Sequence, residues 1–168
     1  PAYGALVRQM LFGEGHEILA SNRARTAHTP GGTAALRVAG DLLKQQFPGA
    51  AIWLSAPTWA NHAGVFNAAG LDVKQYPYYD ADEKCLNFDA MMQSLRTVPA
   101  GDVVLFHGCC HNPSGMDPDA EQWNAIAALA REQQWLPLLD FAYQGFADGL
   151  EADAAGLRAF CQPGCELM

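Results

Sequence analysis

Residues 103–115 read VVLFHGCCHNPSG, and the fold can be worked out from this stretch. Four consecutive apolar residues, Val103 to Phe106, predict a strand that is buried on both faces, because an exposed face would require alternating polar residues. Such strands occur mainly in parallel sheets that helices cover on each side. The polar loop that follows begins at the carboxyl end of the strand, where ligands bind in these sheets. The stretch therefore predicts both a parallel α/β sheet and the edge that carries its site.

The rest of the chain alternates between helical and strand-like segments. Helices are predicted where apolar residues recur every three or four positions, and short apolar runs predict strands. The predicted helices are Tyr3–Phe12, Ala34–Phe47, Trp59–Ala69, Asn87–Arg96 and Pro118–Gln134. The predicted strands are Ala51–Leu54, Val73–Tyr76, Val103–Phe106 and Trp135–Leu139, with an extended stretch at Arg23–His28. This alternation is typical of a three-layer α/β fold, a mostly parallel sheet flanked by helices.

The composition indicates one medium-sized domain with a substantial core. The chain has 168 residues, half of them apolar, and a formal net charge of −8. An acidic surface repels nucleic acid and anionic membranes, so we expect neither as a partner. No apolar run in the sequence approaches the roughly 20 residues that a transmembrane helix needs.

The cysteines match neither a disulfide framework nor a zinc site. There are five, and two of them, Cys109 and Cys110, are adjacent. An odd number with this spacing indicates reduced thiols, and we expect a cytoplasmic protein. His107 and His111 lie close by, but a zinc knuckle needs two cysteines separated by two to four residues. Neighbouring strand residues also point to opposite faces, so we predict no metal site.

Polar or aromatic groups follow four of the five strand-like segments of the chain. These groups lie in the strings PGGT (residues 30–33), SAPTWANH (55–62), HGCCHNPSG (107–115) and DFAYQGF (140–146). Because the carboxyl ends of parallel strands meet at one edge of a sheet, the four strings are expected to converge there. Their convergence predicts a single site, independently of any known family.

Two of these strings offer opposite charges to a ligand, although each also has an ordinary structural role. Gly31, Gly32 and Thr33 leave backbone N–H groups free at a helix start, which suits a phosphate; the same residues also fit a simple turn capped by Thr33. Asp140 closes an apolar strand, so its carboxylate is partly desolvated and needs a partner. That partner is either the next helix, which Asp140 would cap, or a cationic nitrogen of a ligand.

The remaining candidates also leave two interpretations open. Trp59 and His62 are three residues apart and would share one face of a helix. There Trp59 would stack on a flat ring and His62 would support Asp140, or both would simply pack in the core. Asn112 precedes a proline and fits a turn. Tyr143 fits a buried ring with its hydroxyl in water.

Four strings together resemble the class I aspartate/aromatic aminotransferases, which are fold-type I pyridoxal-phosphate enzymes. They are TPGGTAALR (residues 29–37), PTWANH (57–62), HNPSGMDP (111–118) and DFAYQGF (140–146). Their order and approximate spacing match the family, and the resemblance covers essentially the whole chain. It implies that residues 1–168 are part of the large domain that binds pyridoxal 5'-phosphate, that the small domain is absent, and that the parent protein is a homodimer.

The resemblance also implies a role for each candidate residue. Gly32 and Thr33 would bind the cofactor phosphate, and Gly31 replaces a serine seen in some members. Trp59 would stack on the pyridine ring, Asp140 would keep the ring nitrogen protonated, and His62 would orient Asp140. Asn112 and Tyr143 would hydrogen-bond the phenolic oxygen. The catalytic contacts would therefore come from Asp140, Tyr143, Trp59 and Asn112.

The implied reaction is amino-group transfer between an acidic or aromatic amino acid and a 2-oxo acid. One departure from the family bears on it: the Schiff-base lysine of these enzymes lies in a Ser-x-Ser-Lys string, and none of Lys44, Lys74 and Lys84 does. We therefore expect the 168 residues alone to be inactive. The alternative is a non-catalytic phosphate- or nucleotide-binding α/β module that uses Gly31–Thr33 alone; a dinucleotide fold would need more glycines and an acidic residue later than Asp41.

Overall fold

A four-stranded parallel sheet forms the centre of the protein in a computed structural model that describes residues 2–162 and 165–168. In chain order the strands are β1 (Ala51–Ala56), β2 (Asp72–Pro77), β3 (Tyr79–Asp80), β4 (Cys85–Leu86), β5 (Val103–His107) and β6 (Leu136–Asp140). The central sheet has the order β2-β1-β5-β6, and β3 and β4 form a separate two-stranded antiparallel sheet. The prediction of a mostly parallel α/β sheet is confirmed.

Seven helices are present among the described residues. They are α1 (Ala2–Phe12), α2 (Glu17–Ala20), α3 (Gly32–Gln46), α4 (His62–Ala68), α5 (Phe88–Leu95), α6 (Ala120–Gln133) and α7 (Ala155–Ala159). In this part of the chain no helix combines the length and the apolar character needed to cross a membrane.

Strand β5 is buried along its whole length because successive side chains enter two different cores. Val103 and Leu105 pack with side chains of α3 and α4 on one face of the sheet. Val104 and Phe106 pack with side chains of α5 and α6 on the other face. Alternate residues of a strand point to opposite faces, so a strand between two helix layers is apolar at every position. This is the physical reason for the run Val103 to Phe106.

The strand register determines which side chains meet at the carboxyl edge of the sheet. Strand β5 pairs with β6 from Val103 and Leu136 to His107 and Asp140. His107 and Asp140 are therefore neighbours at the last paired position, where the loops to the site begin.

Several predicted boundaries were wrong. Trp59 does not belong to a helix, because α4 begins only at His62 after the loop that follows Pro57. Helix α6 begins at Ala120 rather than Pro118, since Asp119 is the N-cap: its carboxylate accepts from Gln122 N at 2.8 Å, and the Gln122 side chain accepts from Asp119 N at 2.9 Å. This reciprocal pair gives hydrogen-bond partners to two N–H groups at the start of the helix. Both groups would lack these partners if the helix began at Pro118.

The extended stretch Arg23–His28 is not a strand of the sheet. It adopts no regular structure, and two of its side chains bond to residues of α1 and α2 instead. Arg23 pairs with Glu17 at 2.6 Å, and Thr26 accepts from Arg8 at 3.1 Å. The glycine-rich string therefore follows a coil, and the site is built at the ends of three strands and one helix rather than four strands.

One buried aspartate joins the amino ends of three strands. Asp102 accepts from Ala51 N at 2.9 Å and from Trp53 Nε1 at 2.8 Å, and its carbonyl accepts from Leu136 N at 2.9 Å. Its side chain is buried, so a donor that lost this partner would lie unpaired away from water. Asp102 therefore holds the start of β1 beside β5 and β6.

We expect Asp102→Ala to lower the free energy of unfolding by about 3 kcal/mol, because it leaves two donors without their charged acceptor. Urea unfolding measures this change. The matched control is Asp72→Ala, which removes an exposed carboxylate from the edge strand β2 and should cost less than about 0.5 kcal/mol. Equal losses in the two variants would contradict the role of Asp102.

Candidate functional site

A cavity of about 210 Å³ lies at the carboxyl edge of the sheet, between the ends of β5 and β6 and the start of α3. It is lined by Gly32, Thr33, Leu36, Trp59, His107, Asn112, Asp140, Ala142 and Tyr143. Six of the eight predicted cofactor-binding residues are in this lining; Gly31 is the N-cap of α3 beside it, and His62 lies behind Asp140. A larger cavity of about 380 Å³, near Gly101 and Leu136 at the opposite edge, contains none of them.

The start of α3 presents free backbone donors to this cavity. The N-cap residue is Gly31, which has φ 92° and no side chain to cap the helix. Thr33 is the second residue of α3, so it does not occupy the N-cap position. The first bond of the helix runs from Ala35 N to Gly31 O at 3.1 Å, which leaves the N–H groups of Gly32, Thr33 and Ala34 without helical partners. A Cβ added at Gly31 or Gly32 would meet no atom within 4 Å. This open, positively polarised helix end suits an anion.

The carboxylate of Asp140 is held by a buried histidine. His62 Nε2 lies 3.0 Å from Asp140 Oδ2, and Thr58 Oγ1 lies 2.7 Å from His62 Nδ1. Because a carboxylate can only accept, His62 donates through Nε2. His62 is fully buried, whereas the Asp140 side chain is 19% exposed and borders the cavity. Asp140 does not cap a helix, since the next described helix, α7, begins only at Ala155.

Trp59 contacts His62, although not as two residues on one helical face. Its ring meets that of His62 edge to face, with centroids 5.3 Å apart and planes at 83°. Trp59 reaches this position from the loop between β1 and α4, and it is partly buried. The structure thus brings Trp59, His62 and Asp140 together through tertiary contact.

Asn112 and Tyr143 approach the cavity from two different loops. Asn112 follows β5 in a loop whose backbone N–H groups at Cys110 and His111 donate to the Asp117 carboxylate at 2.6 and 2.8 Å. Tyr143 follows β6 and is 41% exposed. Both polar side chains are therefore available to a group bound in the cavity.

His107 belongs to the site, although it was not among the residues predicted for it. It lines the cavity and is buried, yet neither ring nitrogen has a hydrogen-bond partner in the described part of the chain. Burial and the neighbouring His62 ring lower the pKa of His107 from 6.5 to about 4. The sequence signal for His107 was its position directly after the apolar run, which the register places beside Asp140.

His111 was also missed, and it supports the loop that carries Asn112. Its ring stacks on Tyr78 with centroids 3.9 Å apart, and its nitrogens lie 3.0 Å from Ser55 Oγ and 2.7 Å from Ser114 Oγ. Burial, followed by the neighbouring His107 ring, lowers the pKa of His111 from 6.5 to about 3.

His62, His107 and Asp140 also lie close enough to be considered as metal ligands. One ligand atom from each lies within 4.8 Å of the others. Both nitrogens of His62 are already hydrogen-bonded, to Asp140 and Thr58. We therefore interpret the group as a hydrogen-bond network, and the absence of a metal site stays a prediction.

Comparison with known proteins gives consistent matches over this chain. The family described as aminotransferase class I and II matches residues 5–168. The chain is 56% identical to an aspartate aminotransferase from Escherichia coli (strain K12), covering 100% of this chain and 42% of the relative. It is 48% identical to an aromatic-amino-acid aminotransferase from Pseudomonas aeruginosa, covering 94% of this chain and 39% of the relative.

A solved structure also matches almost the whole chain. It is the crystal structure of an aromatic-amino-acid aminotransferase from Burkholderia pseudomallei covalently bound to pyridoxal phosphate, with a TM-score of 0.97 and 40% sequence identity. The match covers 99% of this chain and 42% of that one. The chain thus spans about two fifths of the length of the relatives that it matches.

The two buried histidines predict a loss of stability in mild acid. Unfolding restores the pKa of each to 6.5 from about 4 and about 3, so the unfolded chain binds more protons below that pH. The stability that each neutral histidine contributes is complete above pH 6.5, and it decreases as the pH falls toward 4 for His107 and toward 3 for His111. At pH 5 each histidine should cost about 2 kcal/mol relative to pH 7.5.

Urea unfolding at the two pH values measures this loss. His107→Asn should reduce the difference between pH 7.5 and pH 5 by about 2 kcal/mol, since it removes one of the two groups. If the free energy of unfolding had the same pH dependence with and without His107, the fold would not keep this ring neutral.

Proposed function

The chain belongs to the class I and II aminotransferase family, and on this premise we propose that it forms the cofactor-binding part of a transaminase site. The resemblance drawn from the four strings is thereby confirmed, and the activity, cofactor and substrates are the proposal. The proposed reaction is pyridoxal-phosphate-dependent transfer of an amino group between an acidic or aromatic amino acid and a 2-oxo acid. The observation that carries it is the hydrogen bond between His62 and Asp140 beside the cavity.

The residues at one end of the cavity fit the phosphate of pyridoxal phosphate. The N–H groups of Gly32, Thr33 and Ala34 lack helical partners, and no atom lies within 4 Å of a Cβ built at Gly32. A phosphate would receive backbone hydrogen bonds there, and it would also meet the positive end of the helix dipole. Thr33 adds a hydroxyl to the same lining.

The residues at the other end fit a flat cationic ring. Trp59 lines the cavity and would cover one face of the ring. Asp140 would lie at the ring nitrogen, where a partly buried carboxylate favours the protonated form. His62 donates to Asp140 and is itself bonded to Thr58, so the carboxylate has one orientation. When bound, the cofactor supplies an acceptor for electrons from the α-carbon of the substrate.

Asn112 and Tyr143 are proposed to hold the phenolic oxygen of the cofactor. Both line the cavity, from the loops after β5 and β6. The Asn112 amide and the Tyr143 hydroxyl can each donate a hydrogen bond, and two donors would stabilise negative charge on that oxygen. The protonation state of the bound cofactor would then depend on these two side chains together with Asp140.

None of the three lysines is proposed to attach the cofactor covalently. Lys44 donates to Pro48 O at 2.8 Å, and the Lys74 ammonium lies 5.2 Å from the centre of the Trp53 ring. Lys84 occupies a turn with φ 53°. None of them lines the cavity. We propose that these 168 residues are part of the large domain and that covalent attachment depends on a residue other than these lysines.

A second copy of the protein is the proposed partner. Exposed apolar side chains lie on α1 and on the loop after β6, and they include Tyr3, Leu6, Met10, Phe146 and Leu150. The Gln144 amide contacts Met10 O at 3.4 Å, which joins the helix to the loop. Exposed apolar groups of this size mark interaction surfaces, and this surface adjoins Tyr143.

A cytoplasmic location is proposed because the five cysteines are all free thiols.

The phosphate site is tested by Gly32→Pro. Proline fits the first position of a helix but has no N–H, so the variant removes one donor while α3 is retained. We expect affinity for pyridoxamine phosphate to fall about tenfold or more, the equivalent of one hydrogen bond to a charged group. Affinity for pyridoxamine, which lacks the phosphate, should not change.

Gly32→Ala is the matched control, because it adds a methyl group and keeps the N–H. An equal loss for both variants would indicate steric exclusion and not a lost donor. Binding of adenosine monophosphate with higher affinity than pyridoxamine phosphate would instead support the alternative function, a nucleotide-binding module without catalysis.

The ring site is tested by Asp140→Ala in the full-length gene product. We expect turnover of aspartate or tyrosine with 2-oxoglutarate to fall by several orders of magnitude, because the ring nitrogen loses the carboxylate that keeps it protonated. His62→Asn retains that carboxylate and loses only its orientation, so the loss should be smaller. Asp148→Ala removes an exposed carboxylate from a neighbouring loop and should leave turnover unchanged. Near-normal turnover of Asp140→Ala would refute the proposal.

A further inference from the structure

The loop after β6 is folded around the carboxylate of Asp153, a buried residue outside the cavity. Asp153 Oδ2 accepts from Gly145 N at 2.7 Å and from Ala147 N at 3.2 Å, and Asp153 Oδ1 accepts from Asp148 N at 2.8 Å. Three backbone donors of one short loop therefore converge on a single side chain. Hydrogen bonds to an ionised acceptor are about twice as strong as neutral ones.

The same network determines the backbone at Tyr143. Phe146 N, which lies between the donors Gly145 and Ala147, bonds to Tyr143 O at 3.0 Å. Gly145 has φ 95°, which turns the chain toward Asp153 in a conformation that other residues rarely adopt. The Gln144 amide donates to Leu150 O at 2.9 Å. The backbone that carries Tyr143 is therefore shaped by bonds that end on Asp153 or beside it.

The Tyr143 side chain has no comparable support of its own. It is 41% exposed, and its hydroxyl makes no hydrogen bond to the described residues. The direction of the ring into the cavity therefore depends on the backbone from which it projects. A change in the loop would move the hydroxyl even if every residue in the lining stayed the same.

Asp153 is also charged when the protein is folded. Its burial acts to raise the pKa, but the backbone N–H groups of Asp148, Ala147 and Gly145 outweigh this effect and hold the pKa of Asp153 below its usual range. The carboxylate is therefore available as a double acceptor at neutral pH.

We propose that Asp153 is the positioning residue for Tyr143, and that it aims the tyrosine hydroxyl at the phenolic oxygen of the bound cofactor. The inference rests on the proposed function, because it assumes that Tyr143 contacts this oxygen. It adds a residue that lines no part of the cavity and that acts through three backbone hydrogen bonds.

A double-mutant cycle in the full-length gene product tests the inference. The variants are Asp153→Asn, Tyr143→Phe and the double variant, and the measured quantity is the dissociation constant of pyridoxamine phosphate. Tyr143→Phe should weaken binding about threefold to tenfold, the equivalent of one hydrogen bond. Asp153→Asn should weaken it by a similar factor, and the double variant should bind no more weakly than Tyr143→Phe alone, because both changes remove the same contact.

A second ligand separates positioning from general damage to the fold. Affinity for the analogue of pyridoxamine phosphate that lacks the phenolic oxygen should be unaffected by Asp153→Asn, since the tyrosine then has nothing to bond. Asp148→Asn is the matched control: it removes a charge from the same loop but no acceptor from the network, and should change neither affinity. Asp153→Glu, which keeps the charge, takes the place of Asp153→Asn if that variant does not fold, with the same expected pattern.

The possible outcomes distinguish the inference from the proposed function. Unchanged binding in Tyr143→Phe overturns the role of Tyr143 and the inference with it. Weaker binding in Tyr143→Phe with normal binding in Asp153→Asn overturns the inference alone. Additive losses, or equal loss for the analogue without the phenolic oxygen, overturn it as well, because Asp153 would then act on the whole fold and not through Tyr143.

Discussion

Burial of β5 on both faces is the constraint on which the rest of the structure depends. Because its side chains alternate between two cores, the strand requires a helix layer on each side of the sheet. Parallel pairing with β1 and β6 then brings the carboxyl ends of the strands to one edge. The polar residues that follow each strand have no space inside the two cores and collect at that edge. The location of the cavity is therefore a consequence of how the strand is buried.

The cavity has opposite electrostatic character at its two ends. The start of α3 contributes unpaired N–H groups and the positive end of a helix dipole, whereas Asp140 contributes a carboxylate. Between and behind them, burial keeps the pKa of His107 and His111 low, so these rings add hydrogen-bonding groups without adding charge near neutral pH. Such a cavity is suited to a ligand with an anion at one end and a cation at the other, as we propose for pyridoxal phosphate.

Backbone hydrogen bonds to carboxylates hold the two loops after β5 and β6 in defined conformations. Asp117 accepts from two N–H groups beside Asn112, and Asp153 accepts from three in the loop that carries Tyr143. A short loop has little apolar surface to bury, so packing alone cannot hold it in one conformation. A charged acceptor that several donors share gives each loop a defined shape, and it does so from outside the cavity.

Residue patterns alone predicted the fold class, the order of the longer helices and strands, and six of the residues that line the cavity, but not the short elements α2, α7, β3 and β4. Hydrophobic periodicity and turn residues are local properties, and they are visible in Val103 to Phe106 and in Gly31 to Thr33. The late start of α4, which leaves Trp59 in a loop, the coil at Arg23–His28 and the roles of His107 and Asp153 follow only from the tertiary structure. Each of them depends on contacts that form only when the chain folds, as when the strand register brings His107 beside Asp140. Hydrophobic periodicity is a local property and carries no information about such partners.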